Sequence, residues 1–227
     1  MTGLGTVLNM GAVIAGTAVG VGVGQRLPAR VREIVTDGLG LLTILMGLRM
    51  ALETEQFLVV LGSVLVGGLI GEALDIEHRL ERVGDRLQAR LSTGSSTFST
   101  GFVTASIMFC VGPMAVLGSI EDGLRGTVEI LSVKSILDGF ASLAFASTLG
   151  WGVGFSALSL LVYQGALTLG AGFFERVLTD SMIAEMTAVG GLLVLSMGLR
   201  LLQVREIRTG NFLPALVLAP VIVALAG

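Results

Sequence analysis

Asp138 is the residue in this sequence that demands most of its surroundings. It lies five residues into an apolar stretch, with Lys134 one helical turn before it and Ser135 and Ser142 on the same helical face. A carboxylate inside hydrocarbon costs about 2.5–3.5 kcal/mol unless it is paired or wet, so the position implies a partner, and Lys134 is the obvious one. Two readings follow: an ion or proton site, or a helix-end ion pair whose long side chain reaches the membrane interface.

Three further positions carry polar chemistry into apolar sequence. In Cys110-Val111-Gly112-Pro113-Met114 the proline removes an amide and frees a carbonyl about one turn earlier, near Phe109. In lipid, irregular backbone is tolerated where it is buried in protein or lines a cavity. At 1.5 Å per residue, Pro113 lies roughly 10 Å, and Asp138 and Asn9 roughly 8 Å, from the same end of their apolar stretches. Gln164, beside Tyr163, is expected nearer the middle of its stretch. Each of these groups could instead bond a neighbouring helix for about 1 kcal/mol. Arg49 and Arg200 fall near the ends of apolar stretches, where snorkelling is the plain reading and a gate closed by Arg49 on Asp138 the sharper one.

The elements that must position these residues are membrane spans. The sequence is 53% hydrophobic and 14% charged with a mean hydropathy of +0.89, where a soluble domain carries about 25% charge. Apolar runs near 4–24, 34–52, 57–74, 98–120, 133–149, 154–174, 185–202 and 211–226 read as eight spans of an all-α polytopic bundle. Residues 1–227 make one transmembrane domain, with an amphipathic segment at 75–97 carrying Leu74, Leu80, Val83, Leu87 and Leu91 at helical spacing, and a central hairpin at 98–153. The loops after spans 1, 3 and 7 hold ten of the fourteen Lys and Arg residues. That asymmetry puts both termini outside the cytoplasm.

A self-similarity orders the spans. Gly40-Leu41-Leu42-Thr43-Ile44-Leu45-Met46-Gly47-Leu48-Arg49 matches Gly191-Leu192-Leu193-Val194-Leu195-Ser196-Met197-Gly198-Leu199-Arg200, and Phe57-Leu58 echoes Phe212-Leu213. Spans 1–3 (residues 1–74) then correspond to spans 6–8 (residues 154–227) in opposite orientation. Such inverted repeats are typical of secondary transporters. Gly16, Gly20 and Gly24 on span 1, and Gly67 and Gly71 on span 3, suit close helix packing or a homodimer face.

The composition sets other classes aside. With Cys110 the single cysteine and His78 the single histidine there is no Cys/His metal cluster, and no Ser/His/Asp arrangement points to catalysis. No basic stripe suggests nucleic acid, and no cofactor is expected. The lipid bilayer and an unidentified small solute or ion are the expected partners.

Phe109-Cys110-Val111-Gly112-Pro113-Met114-Ala115-Val116-Leu117-Gly118, then Glu121-Asp122-Gly123-Leu124 and Lys134-Ser135-Ile136-Leu137-Asp138-Gly139, resemble the family called Domain of Unknown Function 554, YqgA-like bacterial inner-membrane proteins. Gly5-Thr6-Val7-Leu8-Asn9 and Gly24-Gln25-Arg26-Leu27-Pro28 fit as well. The resemblance covers nearly the whole chain and implies a prokaryotic cytoplasmic-membrane protein, without assigning a substrate or a catalytic residue. The expectation from the residues is an ion- or proton-coupled permease in which Asp138 holds a cation or proton, Asn9, Ser142 and Gln164 meet the solute, and the Pro113 break supplies carbonyls. A channel-like pore and a scaffold docking through the 75–91 helix are the alternatives.

Overall fold

The structure, a computed structural model, describes residues 2–91 and 97–226; side chains at positions 81, 84, 87, 88, 90, 91 and 226 lie outside that description. The described residues form α1 (Leu4–Gly24), α2 (Ala29–Ala51), α3 (Phe57–Ala73), α4 (Ile76–Leu91), α5 (Phe98–Cys110), α6 (Pro113–Arg125), α7 (Glu129–Leu149), α8 (Gly152–Leu169), α9 (Ala171–Val177), α10 (Asp180–Leu201) and α11 (Leu213–Ala226), with a 3-10 turn at Thr209–Phe212 before α11. No strand occurs among them. The expected amphipathic segment is helical as α4; its apolar positions Leu87 and Leu91 and its continuation through 92–96 lie outside the described residues.

Among the described residues five helices are long and apolar enough to cross a membrane: α1, α2, α7, α8 and α10. The expected fourth span is instead two helices, α5 and α6, bent by 63° at Val111-Gly112, and α3 and the 209–225 segment are shorter apolar helices. The bend has a local cause. Pro113 has no N–H to give and sits at the first position of α6, where none is needed, while Gly112 before it is extended.

Two compact units divide the chain: residues 1–36 with 83–177, and residues 37–82 with 178–227. In the first, α1 lies along α7 in the same direction, held by glycine. A Cβ added at Gly16, Gly20 or Gly24 would strike the carbonyls of Gly139, Leu143 and Ser147 in turn. α5 runs parallel to α8, with Gly152 against Phe98 and Ser106 bonded to Ser159 at 2.8 Å. Beyond the bend, Gly123 of α6 rests on Thr168 at the far end of α8. The α5–α6 pair therefore follows α8 from end to end, as a broken span does and a re-entrant loop, which returns to its starting level, does not.

In the second unit the two self-similar segments meet each other. Gly47 faces Gly191 and Leu195, and Gly198 faces Gly40 and Ile44, so α10 and this part of α2 run antiparallel. Adding 151 to one partner and subtracting it from the other converts the contact Gly47–Leu195 into Gly198–Ile44. The same operation converts Gly40–Leu202 into Gly191–Ala51. α3 and α11 are likewise antiparallel, with Gly67 on Ala215 and Gly71 on the carbonyl of Asn211. The glycines expected either to pack helices or to form a homodimer face are thus used inside the chain.

Candidate functional site

The first unit brings Asn9, Lys134 and Asp138 into one cluster. Asn9 is fully buried on α1, and its Nδ2 donates to Asp138 Oδ2 at 2.9 Å, across 129 residues of sequence. Lys134 Nζ bonds the same oxygen in a buried ion pair one turn apart on α7. The ammonium also lies 5.9 Å from the centre of the Phe109 ring on the last turn of α5. The cluster therefore sits at the break in the α5–α6 pair, as expected for Pro113. The break itself is two helix ends and not a kink, so the last carbonyls of α5 lack intrahelical donors.

Gln164 belongs to the same level. α8 reverses the chain after Gly150, a residue at φ 75° that glycine adopts without strain, and Gly154 of α8 lies on Thr17 of α1. Ten residues further along α8, Gln164 is level with the region of α1 ten residues back, near Val7 and Asn9. The sequence suggested a deeper position because it extended the sixth span to 174. α8 ends at Leu169, so Gln164 is roughly 8 Å from its end, as Asn9 is from the start of α1.

What distinguishes this region is polar capacity left unused. Asn9 Oδ1, both amide atoms of Gln164, and the hydroxyls of Ser142, Thr6, Thr17, Ser119 and Thr168 in the first unit are buried without a protein partner, against the Ser63 hydroxyl in the second. Buried polar groups in folded proteins are normally satisfied, and each left unsatisfied costs about 1–3 kcal/mol. Ser135, the other hydroxyl expected on this face, is satisfied by the Leu131 carbonyl at 2.6 Å. The charge inventory is equally spare. Across α1, α5, α7 and α8 the only ionisable acids and bases of the Asp, Glu, Lys and Arg types are Glu129 at the start of α7, Lys134 and Asp138.

The seam has two ends. At one, Asp122 of α6 is fully buried and accepts from Gly3 N at 3.1 Å and Gly5 N at 3.0 Å, capping the first turn of α1. At the other, a cavity of about 210 Å³ is lined by Val21, Gln25, Arg32, Thr97, Thr148 and Trp151 among others. Arg32 there bonds the Gly24 carbonyl at 2.8 Å.

The family described as Protein of unknown function (DUF554) matches residues 4–224. The chain belongs to this family. It is 30% identical to "Uncharacterized membrane protein YdfK" of Bacillus subtilis over 223 residues, 96% of this chain and 95% of the relative. It is 32% identical to "Uncharacterized protein YqgA" of Escherichia coli over 221 residues, 95% and 94% of the two chains. No solved structure matches. The five membrane-length helices accord with the name of the Bacillus relative, and a membrane protein is the class they support.

The second unit holds the remaining candidates but does not gather them. Arg49 is exposed, whereas Arg200 pairs with Glu77 at 3.0 Å. Asp138 is bonded by Lys134 and Asn9. Buried acids that sequence reasoning missed do the organising here. Glu185 is fully buried and accepts from Thr54 Oγ1 at 2.7 Å, Glu55 N at 2.8 Å and Gln56 N at 2.9 Å, holding the segment that enters α3. Glu77 accepts from Gly210 N at 2.5 Å before α11, and the Asn211 side chain accepts from Glu77 N at 2.7 Å. The only sequence signal for these acids is their isolation beside apolar runs, which Glu77 and Glu185 share with several exposed residues.

Proposed function

We propose that this chain is a secondary carrier of a small polar solute or ion in the prokaryotic cytoplasmic membrane, with its route through the first unit. The observation that carries the reading is the Asn9–Asp138–Lys134 cluster, set at a break in a spanning element and level with a buried amide that has no partner. A bundle needing only stability is served by apolar packing at these positions, since buried ion pairs seldom stabilise relative to hydrophobic replacements. Ionisable groups inside membrane spans mark ion or substrate routes by default. In this reading Asp138 exchanges its hold on Lys134 for the transported or coupling species. Asn9, Ser142 and Gln164 orient the cargo, and the α5 carbonyls at the Pro113 break border the site.

An inverted repeat underlies the proposal, and two features support it. The contacts between α2 and α10 interconvert under the sequence offset that relates their residues. The segment leading into the third helix of each repeat is held by a buried acid at matching positions: Glu55 N on Glu185 and Gly210 N on Glu77, separated by the same 155 residues as Phe57 and Phe212. An eight-span layout accounts for the helix directions, since α1 with α7 and α5 with α8 have like parity and run parallel, while α2 with α10 and α3 with α11 have unlike parity and run antiparallel. Both termini then lie outside the cytoplasm, the arginine-rich loops inside.

Alternating access tests the reading without knowledge of the cargo. In a Cys110→Ala background, single cysteines at Ser142 and Gln164 are exposed to a membrane-impermeant maleimide from either side of sealed vesicles. A carrier gives labelling from both sides that conformational trapping makes exclusive. Simultaneous access from both sides in one trapped state identifies a pore, and protection from both sides in every state removes the transport reading.

A further inference from the structure

The chemistry of the cluster narrows the cargo, on the transport reading just given. Asp138 Oδ2 is already held by two donors, Lys134 Nζ and Asn9 Nδ2. Because an ionised carboxylate only accepts, Asn9 must turn its amide N–H to it and its carbonyl away. A lone metal cation reaching Asp138 would have to displace an ammonium and leave that ammonium buried without a counter-ion, and a lone anion at Lys134 would strand the carboxylate. An uncharged solute could use the amides but would leave the ion pair without a role.

The unused groups complete the pattern. Two carbonyl acceptors, Asn9 Oδ1 and Gln164 Oε1, and two donors, Gln164 Nε2 and the Ser142 hydroxyl, are buried and unpartnered in the unit that holds the carboxylate and ammonium, Ser142 one turn after Asp138 on α7 and Gln164 on α8. An alkylammonium offers three N–H groups, and a carboxylate accepts from several donors. We infer that the Lys134–Asp138 pair is the empty carrier's own stand-in for a small zwitterion of the α-amino-acid type, whose ammonium takes Asp138, Asn9 Oδ1 and Gln164 Oε1 while its carboxylate takes Lys134, Ser142 and Gln164 Nε2. The empty state then holds one buried positive and one buried negative charge and the loaded state two of each, every one paired, so that reorientation across the membrane moves no net charge.

The test uses the purified full-length chain in proteoliposomes and the set of standard α-amino acids, each radiolabelled. Uptake of at least one is expected, with competition by other zwitterions and none by methylammonium, acetate or urea at the same concentration. Asp138→Asn and Lys134→Met should each lower uptake on the order of tenfold to a hundredfold, the effect of losing one charge-assisted bond. They should also change the competitors in opposite senses. Simple amines begin to compete in Lys134→Met, whose carboxylate has lost its partner, and simple carboxylates begin to compete in Asp138→Asn. A purely structural role for the pair predicts lost uptake with unchanged selectivity. If either variant fails to fold, the wild-type competition pattern still decides. Flux confined to protons, metal cations or uncharged solutes overturns the zwitterion assignment and leaves the carrier standing. Absence of all flux, with Ser142 and Gln164 positions sealed from both sides, overturns both.

Discussion

The two units bury polar groups in different proportions: saturated acids dominate the second, where Ser63 is the unpartnered exception among the described residues, and unpartnered groups dominate the first, where Asp122 is a saturated cap. In the second, Glu185 satisfies three donors at the start of α3, and Glu77 is tied to Arg200 and to Gly210 N before α11. In the first, Asn9, Ser142 and Gln164 lie within helices with hydrogen-bonding capacity unused, in the unit that holds the buried Lys134–Asp138 pair. A saturated acid at a helix end replaces the backbone partners that the end lacks, and its purpose is met by the fold. An unsaturated group within a helix has no such purpose, because helical backbone already satisfies itself. The contrast separates architecture from site more sharply than burial does, since Glu185 and Gln164 are both fully buried.

That contrast breaks first at Glu185. Replacing it with Leu should destabilise the chain by about 3–5 kcal/mol, because three donors at the entry to α3 lose their acceptor at once. Thermal unfolding in detergent, followed by the loss of the monodisperse species, should show the lowest midpoint of the series. An unchanged midpoint would mean that the acid is not an architectural cap. Gly47→Val should come next, at about 1–3 kcal/mol, since its side chain would enter the backbone of α10 around Gly191 and Leu195. Gly198→Val should match it within error if the two contacts are equivalent, and unequal losses would count against the reciprocity.

The sign should reverse at Gln164. Gln164→Leu removes an unpartnered buried amide and is expected to stabilise by about 1 kcal/mol while abolishing the transport proposed above. Destabilisation would show that the amide has a structural partner. Smallest of all, Gly38→Ala should shift the midpoint by no more than about 1 kcal/mol and toward stability, as nothing lies within 4 Å of the added carbon and alanine favours helix. A larger loss there would reveal a contact absent from this structure.

Much of the first unit's site is legible residue by residue. Lys134 and Asp138 are four apart, and helix geometry alone places them in contact whatever surrounds them. Pro113 after Gly112 dictates the end of one helix and the start of another in the same local way. Asn9 could be singled out as polar in apolar sequence, but its partner could not, because 129 residues separate it from Asp138 and many packings of several apolar helices are compatible with one hydropathy profile. The end of α8 is hidden for a related reason: Gly170 is helix-compatible in an apolar run, and only the fold shows α8 stopping before it.

Apolar run length, charge asymmetry and the Gly40–Arg49 echo at Gly191–Arg200 are therefore what the sequence by itself determined, together with every pairing within one helical turn. These follow from hydrocarbon thickness and from 3.6 residues per turn, which need no neighbour. The tertiary structure alone decided which glycine faces meet, that α5 and α6 follow α8 through the bend, that Asp122 and Glu185 close helix ends, and that Asn9, Asp138 and Gln164 share a level. Those outcomes rest on backbone approach at Gly16, Gly47 and Gly67, where a missing Cβ permits a contact without specifying its partner.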